Sequence, residues 1–162
     1  MQLSPVLASA LLVSAVCSTL SAAIADNADQ LLLPSGVTDV IFAVRPYGPD
    51  GHYYANFGYY SHNPDEKAYP IGGQLCRLNL TSGEMKVLLD DPTGGVRDPQ
   101  IYYDGRKVLF SYRPGGTEHY HLYEMNVDGT DMRQLTDGPH DDIEPTYLPD
   151  GDIVFCSSRC NR

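Results

Sequence analysis

The chain has 162 residues, with 21 acidic against 11 basic side chains and a formal net charge of -10. That charge excludes a protein that tracks a phosphate backbone or an anionic lipid surface, since both need a basic face. Twelve tyrosines, 15 glycines and 12 prolines, with no tryptophan, suit half-buried strands joined by tight turns.

The chain opens on an uncharged, mostly apolar run from Val6 to Leu20, and Ala23-Ile24-Ala25 places small residues before Asp26. This is a secretory signal pattern, too short for a transmembrane helix, although no Lys or Arg precedes it. An uncleaved anchor is the alternative. Residues 1–25 are read as a signal peptide, 26–36 as a linker or lead-in strand, and 37–162 as the folded part. The expected location is the periplasm or the outside of the cell, with no stable membrane span after signal cleavage. Cys76, Cys156 and Cys160 then remain, an odd number in an oxidising compartment. Cys156 and Cys160 are the disulfide candidates, and Cys156, following Phe155, also reads as a buried strand thiol.

From Val37 onward, short apolar runs alternate with turn signals and no helical period is present. Strands are predicted at Val40–Val44, Gln74–Leu80, Lys86–Leu89, Gln100–Tyr103, Lys107–Phe110, His121–Met125, Met132–Leu135 and Asp152–Phe155. Each is bounded by turn residues such as Asp-Gly, Pro-Gly or Ser-Gly.

An internal repeat orders these strands. Leu75–Asp90 lies without gaps over Leu122–Asp137, with coincidences at Leu75/Leu122, Asn79/Asn126, Met85/Met132, Leu88/Leu135 and Asp90/Asp137. Asp98-Pro99 likewise corresponds to Glu144-Pro145, Asp104-Gly105 to Asp150-Gly151, and Phe110-Ser111 to Phe155-Cys156. A period in the mid-forties holding about four strands is the length of one propeller blade. The expected fold is all-β: a partial β-propeller of about two blades of four-stranded antiparallel sheet, preceded by the signal peptide.

The segment Tyr102–Phe110, the hairpin Leu122–Thr130 and Arg133-Gln134-Leu135-Thr136 together resemble the WD-type repeats of TolB-like propellers. The resemblance covers residues 74–158 well and is specific for fold, not for function. Glu118–Met125 and Asp152–Cys160 also look like the middle propeller domain of hydrazine synthase alpha subunit-like proteins. In that family the chemistry depends on attached haem. No Cys-x-x-Cys-His occurs in this chain, so those sites do not carry over and no cofactor is expected. Propellers close with typically four to eight blades, so the chain reads as truncated at its C-terminal end, a fragment whose partners are further blades or domains of a longer chain.

Four groups of residues are candidates for contact with a ligand or partner. His140, Asp141, Asp142 and Glu144, with Asp98 one repeat earlier, are read as lying on loops that line a central channel. There their carboxylates would hold a cation or a partner, or instead satisfy loop amides. Tyr47, Tyr53, Tyr54, Phe57, Tyr59 and Tyr60 fall in an insertion over 46–73, either as an exposed aromatic platform or as packing under a long loop. His119 and His121, one residue apart in an expected strand, would project to one face as metal ligands or stand as edge-strand histidines. Cys156 and Cys160 form the fourth group. No Gly-x-Ser-x-Gly, phosphate loop or His-Glu-x-x-His is present. The leading expectation is a non-catalytic exported scaffold that binds a protein or ligand and not nucleic acid. The rival is the propeller part of an enzyme with its active site elsewhere, either a hydrazine synthase alpha-like haem protein or a serine peptidase.

Overall fold

The computed structural model describes residues 36–46 and 71–160. The signal peptide, residues 26–35 of the expected lead-in segment and the six aromatic residues of the insertion lie outside the described residues, as does the side chain of Cys160. The chain divides into two compact units, one of Met1–Val40 with Leu78–Glu84 and the other of Ile41–Arg77 with Met85–Arg162. In the first unit, the Leu80 amide donates to the Thr38 carbonyl at 2.8 Å and Asn79 Nδ2 donates to Asp39 Oδ1 at 3.3 Å.

Nine strands are found among the described residues. Strands β1 (Asp39–Val44), β2 (Gly73–Asn79) and β3 (Met85–Asp91) form a sheet in that order. Strands β4 (Gly95–Ile101), β5 (Lys107–Arg113), β6 (His121–Asn126) and β7 (Arg133–Gln134) form a second, antiparallel throughout. Strands β8 (Asp142–Tyr147) and β9 (Ile153–Ser157) form an antiparallel pair, followed by a 3-10 turn at Ser158–Cys160. No helix among the described residues is long and apolar enough to cross a membrane.

The sequence of β5, Lys-Val-Leu-Phe-Ser-Tyr-Arg, explains the layering. Its side chains alternate between the two faces of its sheet. Val108, Phe110 and Tyr112 pack with Leu75, Val96, Tyr123 and Met125, and Ile41, Ala43, Leu88 and Leu89 close over them. Leu109 joins Leu122 and Tyr147 in a separate cluster with Leu135, Ile153 and Phe155. With apolar groups on both sides, β5 reads as a continuous apolar run and not as an alternation. Full burial of each such Leu, Val or Phe contributes about 2 kcal/mol, so these two clusters dominate the cohesion of the larger unit.

Local geometry follows the repeat. The Tyr102 amide donates to the Lys107 carbonyl and the Gly105 amide to Tyr102; the Leu148 amide donates to Asp152 and the Gly151 amide to Leu148. Gly105 and Gly151 hold φ of 73° and 95°, which the Asp-Gly turns supply without steric cost. The register of β4 against β5 shifts between Arg97 and Gln100, and that of β8 against β9 between Ile143 and Thr146, the same step one repeat later. Asp98 and Glu144 sit in these bulges with φ of 56° and 54°.

Several sequence expectations need correction. The loop expected at His140–Pro145 is strand from Asp142 onward, and the strand expected at Gln100–Tyr103 begins at Gly95. Charges and a proline disguised both. In each strand the proline follows the bulged residue, a place where a missing amide donor is tolerated. The outer strand β7 is only two residues long and exposed, a short and charged edge. His121 opens β6, whereas His119 precedes it.

Candidate functional site

The polar residues picked out from the sequence gather where consecutive repeats meet. On β4 the Arg97 side chain is 1% exposed, and its Nε donates to Asp98 Oδ2 at 2.6 Å. The same Asp98 oxygen accepts the Ser111 hydroxyl at 3.5 Å and the amide of Glu144 at 3.1 Å. Glu144, the repeat equivalent of Asp98, places Oε1 3.6 Å from the Arg97 guanidinium. Its Oε2 accepts the Cys156 thiol at 3.4 Å. Cys156 and Ser111 are equivalent residues, so each bulge carboxylate meets the same position of its partner strand.

The neighbouring carboxylates are also engaged internally. Asp141 Oδ1 accepts the Tyr120 amide at 2.9 Å and lies 3.8 Å from His119 Nδ1. Asp142 is fully buried; it accepts Ser157 Oγ at 2.7 Å and Arg159 at 2.7 Å, with His121 Nδ1 3.9 Å away. Each histidine thus faces one carboxylate. Among the described residues no group of three or more His, Cys, Asp or Glu side chains is placed to hold a metal ion. His140 is half-buried in the bend before β8. His140 and Asp141 precede β8, Asp142 and Glu144 lie on it, and Asp98 lies on β4. Asp98 and Asp141 accept backbone amides, whereas Asp142 and Glu144 accept side-chain donors.

Cys156 is exposed and its thiol is free, against the expected buried strand thiol, because it projects from the same exposed face of β9 as Val154, alternating with the half-buried Ile153, Phe155 and Ser157. The hydrogen bond to Glu144, with some burial and the charge of Glu144, pushes its pKa up. Cys76 is buried and free.

Sequence reasoning missed two further polar centres. Glu124 on β6 is buried; it accepts Arg133 at 2.6 and 3.0 Å, Lys107 at 3.2 Å and the Tyr147 hydroxyl of β8 at 2.8 Å. Burial alone would raise its pKa, but the bonds from Arg133, Tyr147 and Lys107 outweigh that and lower it. Asp91, at the end of β3, accepts the Tyr112 hydroxyl at 2.7 Å and the amides of Gly94, Thr93 and Gly115 at 2.8–3.0 Å. Desolvation opposes its ionisation, yet these four donors hold the carboxyl far below the usual range. In the gap-free alignment of the repeats Arg77 stands opposite Glu124 and Gly138 opposite Asp91, so the period gave no signal for either carboxylate.

No family model matches the chain. Over 119 residues it is 31% identical to hydrazine synthase subunit alpha of Kuenenia stuttgartiensis, a match covering 72% of this chain and 13% of that subunit. The solved structure of Kuenenia stuttgartiensis hydrazine synthase superposes with a TM-score of 0.55 at 26% identity, over 74% of this chain and 16% of that one. A TolB protein from Agrobacterium tumefaciens gives a TM-score of 0.46 at 27% identity, over 52% of this chain and 30% of that one. The chain thus spans a small part of the length of these relatives. It is an all-β chain of β-propeller repeats, homologous to a segment of hydrazine synthase subunit alpha.

Proposed function

We propose that the chain is a non-catalytic scaffold segment of an exported β-propeller, which holds further blades, domains or a protein partner of a larger protein in place. One observation carries this reading. Asp98, Asp141, Asp142 and Glu144, the carboxylates best suited to chemistry, are bonded to backbone and side chains within and between repeats. Groups spent in this way position strands. Export rests on the signal pattern of residues 1–25. The purified chain is expected to turn over neither ester, peptide nor redox substrates and to show no haem absorption. Turnover by these 162 residues contradicts the scaffold role.

A second reading is favoured by the 31% identity to hydrazine synthase subunit alpha: the segment serves as the propeller part of a haem redox protein whose chemistry lies in other domains. Protein recovered from its source cells would then stain for covalently bound haem, whereas a stain-free protein supports the scaffold alone.

A further inference from the structure

Asp98 uses its carboxylate to join two strand pairs. It takes the Ser111 hydroxyl from its own pair and the backbone amide of Glu144 from the next. Glu144 occupies the equivalent bulge with the same positive φ and takes the Cys156 thiol from its own pair. Its side chain is 44% exposed, against 17% for Asp98. The strand beside it differs in the same sense. Leu109 on β5 is fully buried, while its equivalent on β9, Val154, is 52% exposed. Among the described residues β8 and β9 pair only with each other, whereas β5 has β6 along its second edge.

We infer that Glu144 is the acceptor of a second inter-repeat link. Its occupant is the backbone amide of the bulge residue in a further repeat of the same Asp/Glu-Pro type, packed on the β8-β9 face. The partner is specified by chemistry: an extended strand whose bulged residue, preceding a proline, turns its amide toward the carboxylate. This rests on the propeller reading above and assigns one of its contacts. Repetition of bulge, φ, cross-strand donor and register supports it more strongly than exposure alone, because all four recur from one repeat to the next.

The test is a tandem chain in which residues 115–157 are copied after Arg159, compared with the chain as it stands. Two readouts are taken: the rate at which Cys156 reacts with a thiol reagent, followed by peptide mapping, and the urea midpoint. In the unextended chain, Glu144→Ala is expected to move the midpoint far less than Asp98→Ala does. In the tandem, Cys156 labelling should slow at least about tenfold, as expected when an exposed group becomes accessible only on opening. Glu144→Ala should then lower the midpoint by clearly more than it does in the unextended chain. Slowed labelling with an indifferent Glu144→Ala overturns the link and leaves the propeller reading intact. Labelling at the original rate means that the added repeat does not pack, which overturns both.

Discussion

Asp98 and Glu144, equivalent residues of consecutive repeats, are directly bonded: Asp98 Oδ2 accepts the Glu144 amide at 3.1 Å. The same oxygen holds the Arg97 guanidinium at 2.6 Å. One carboxylate therefore compensates a buried cation and fixes the bulge of the following strand. Removing it takes the 2.6 Å contact away from the buried Arg97 guanidinium, and breaking a buried pair typically costs about 3–5 kcal/mol. Asp98→Gly keeps the positive φ accessible and isolates that loss. Asp98→Ala adds about 1–2 kcal/mol of backbone strain. Urea unfolding of the two variants should rank them wild type, Gly, then Ala, with the larger step at Gly.

Acid is expected to loosen the larger unit through Asp91 and Glu124. Both carboxyls titrate lower in the fold than in the unfolded chain. The unfolded state therefore binds protons first, and stability falls as pH drops below the unfolded carboxylate range of about 4. Above that range their full contribution is present. Asp91→Asn should flatten the fall in urea midpoint between about pH 4 and pH 2 and cost about 1–3 kcal/mol at neutral pH, as donors lose a charged acceptor. An unchanged acid slope in the variant would remove Asp91 as its source.

Gly95 lies against the Tyr120 ring, and a Cβ there would collide with the Tyr120 hydroxyl. Gly95→Ala should therefore destabilise by about 1–3 kcal/mol through overpacking. Tyr120→Phe removes the obstructing oxygen, so the double variant should lose less than the sum of the singles. Strict additivity would separate the two sites.

Cys156 should be the reactive thiol and Cys76 the protected one, because the first is exposed and the second buried. Glu144 keeps the Cys156 thiol protonated, so Glu144→Gln should speed its labelling near pH 8, where the thiolate is the reacting species. Mass spectrometry of labelled peptides reads both effects. Equal labelling of the two cysteines in the folded chain would contradict the placement of β2 in the core.

Much of this architecture was legible because its physics repeats. Asp104-Gly105 and Asp150-Gly151 announce equivalent turns, the second one residue shorter, and the apolar run at Lys107–Phe110 marks a strand covered on both faces. The strands β4 and β8 were misplaced, since Arg97-Asp98-Pro99 and Asp142-Ile143-Glu144-Pro145 look like loop by composition. Only pairing across the sheet shows that their prolines follow bulges. The candidate carboxylates were found by their spacing, but their roles were not. Whether Asp142 faces a ligand or Ser157 and Arg159 depends on contacts 15 and 17 residues away. Glu124 was missed because its partners Lys107, Arg133 and Tyr147 come from three different strands.

Hydrogen exchange at the Glu144 amide tests the joining of the repeats most directly. Slow exchange, about a hundredfold or more below the unfolded rate, is expected in the wild-type chain, with selective loss of that protection in Asp98→Gly while the β5 amides stay protected. Free exchange at Glu144 in the wild type would mean that the two repeats are not joined there.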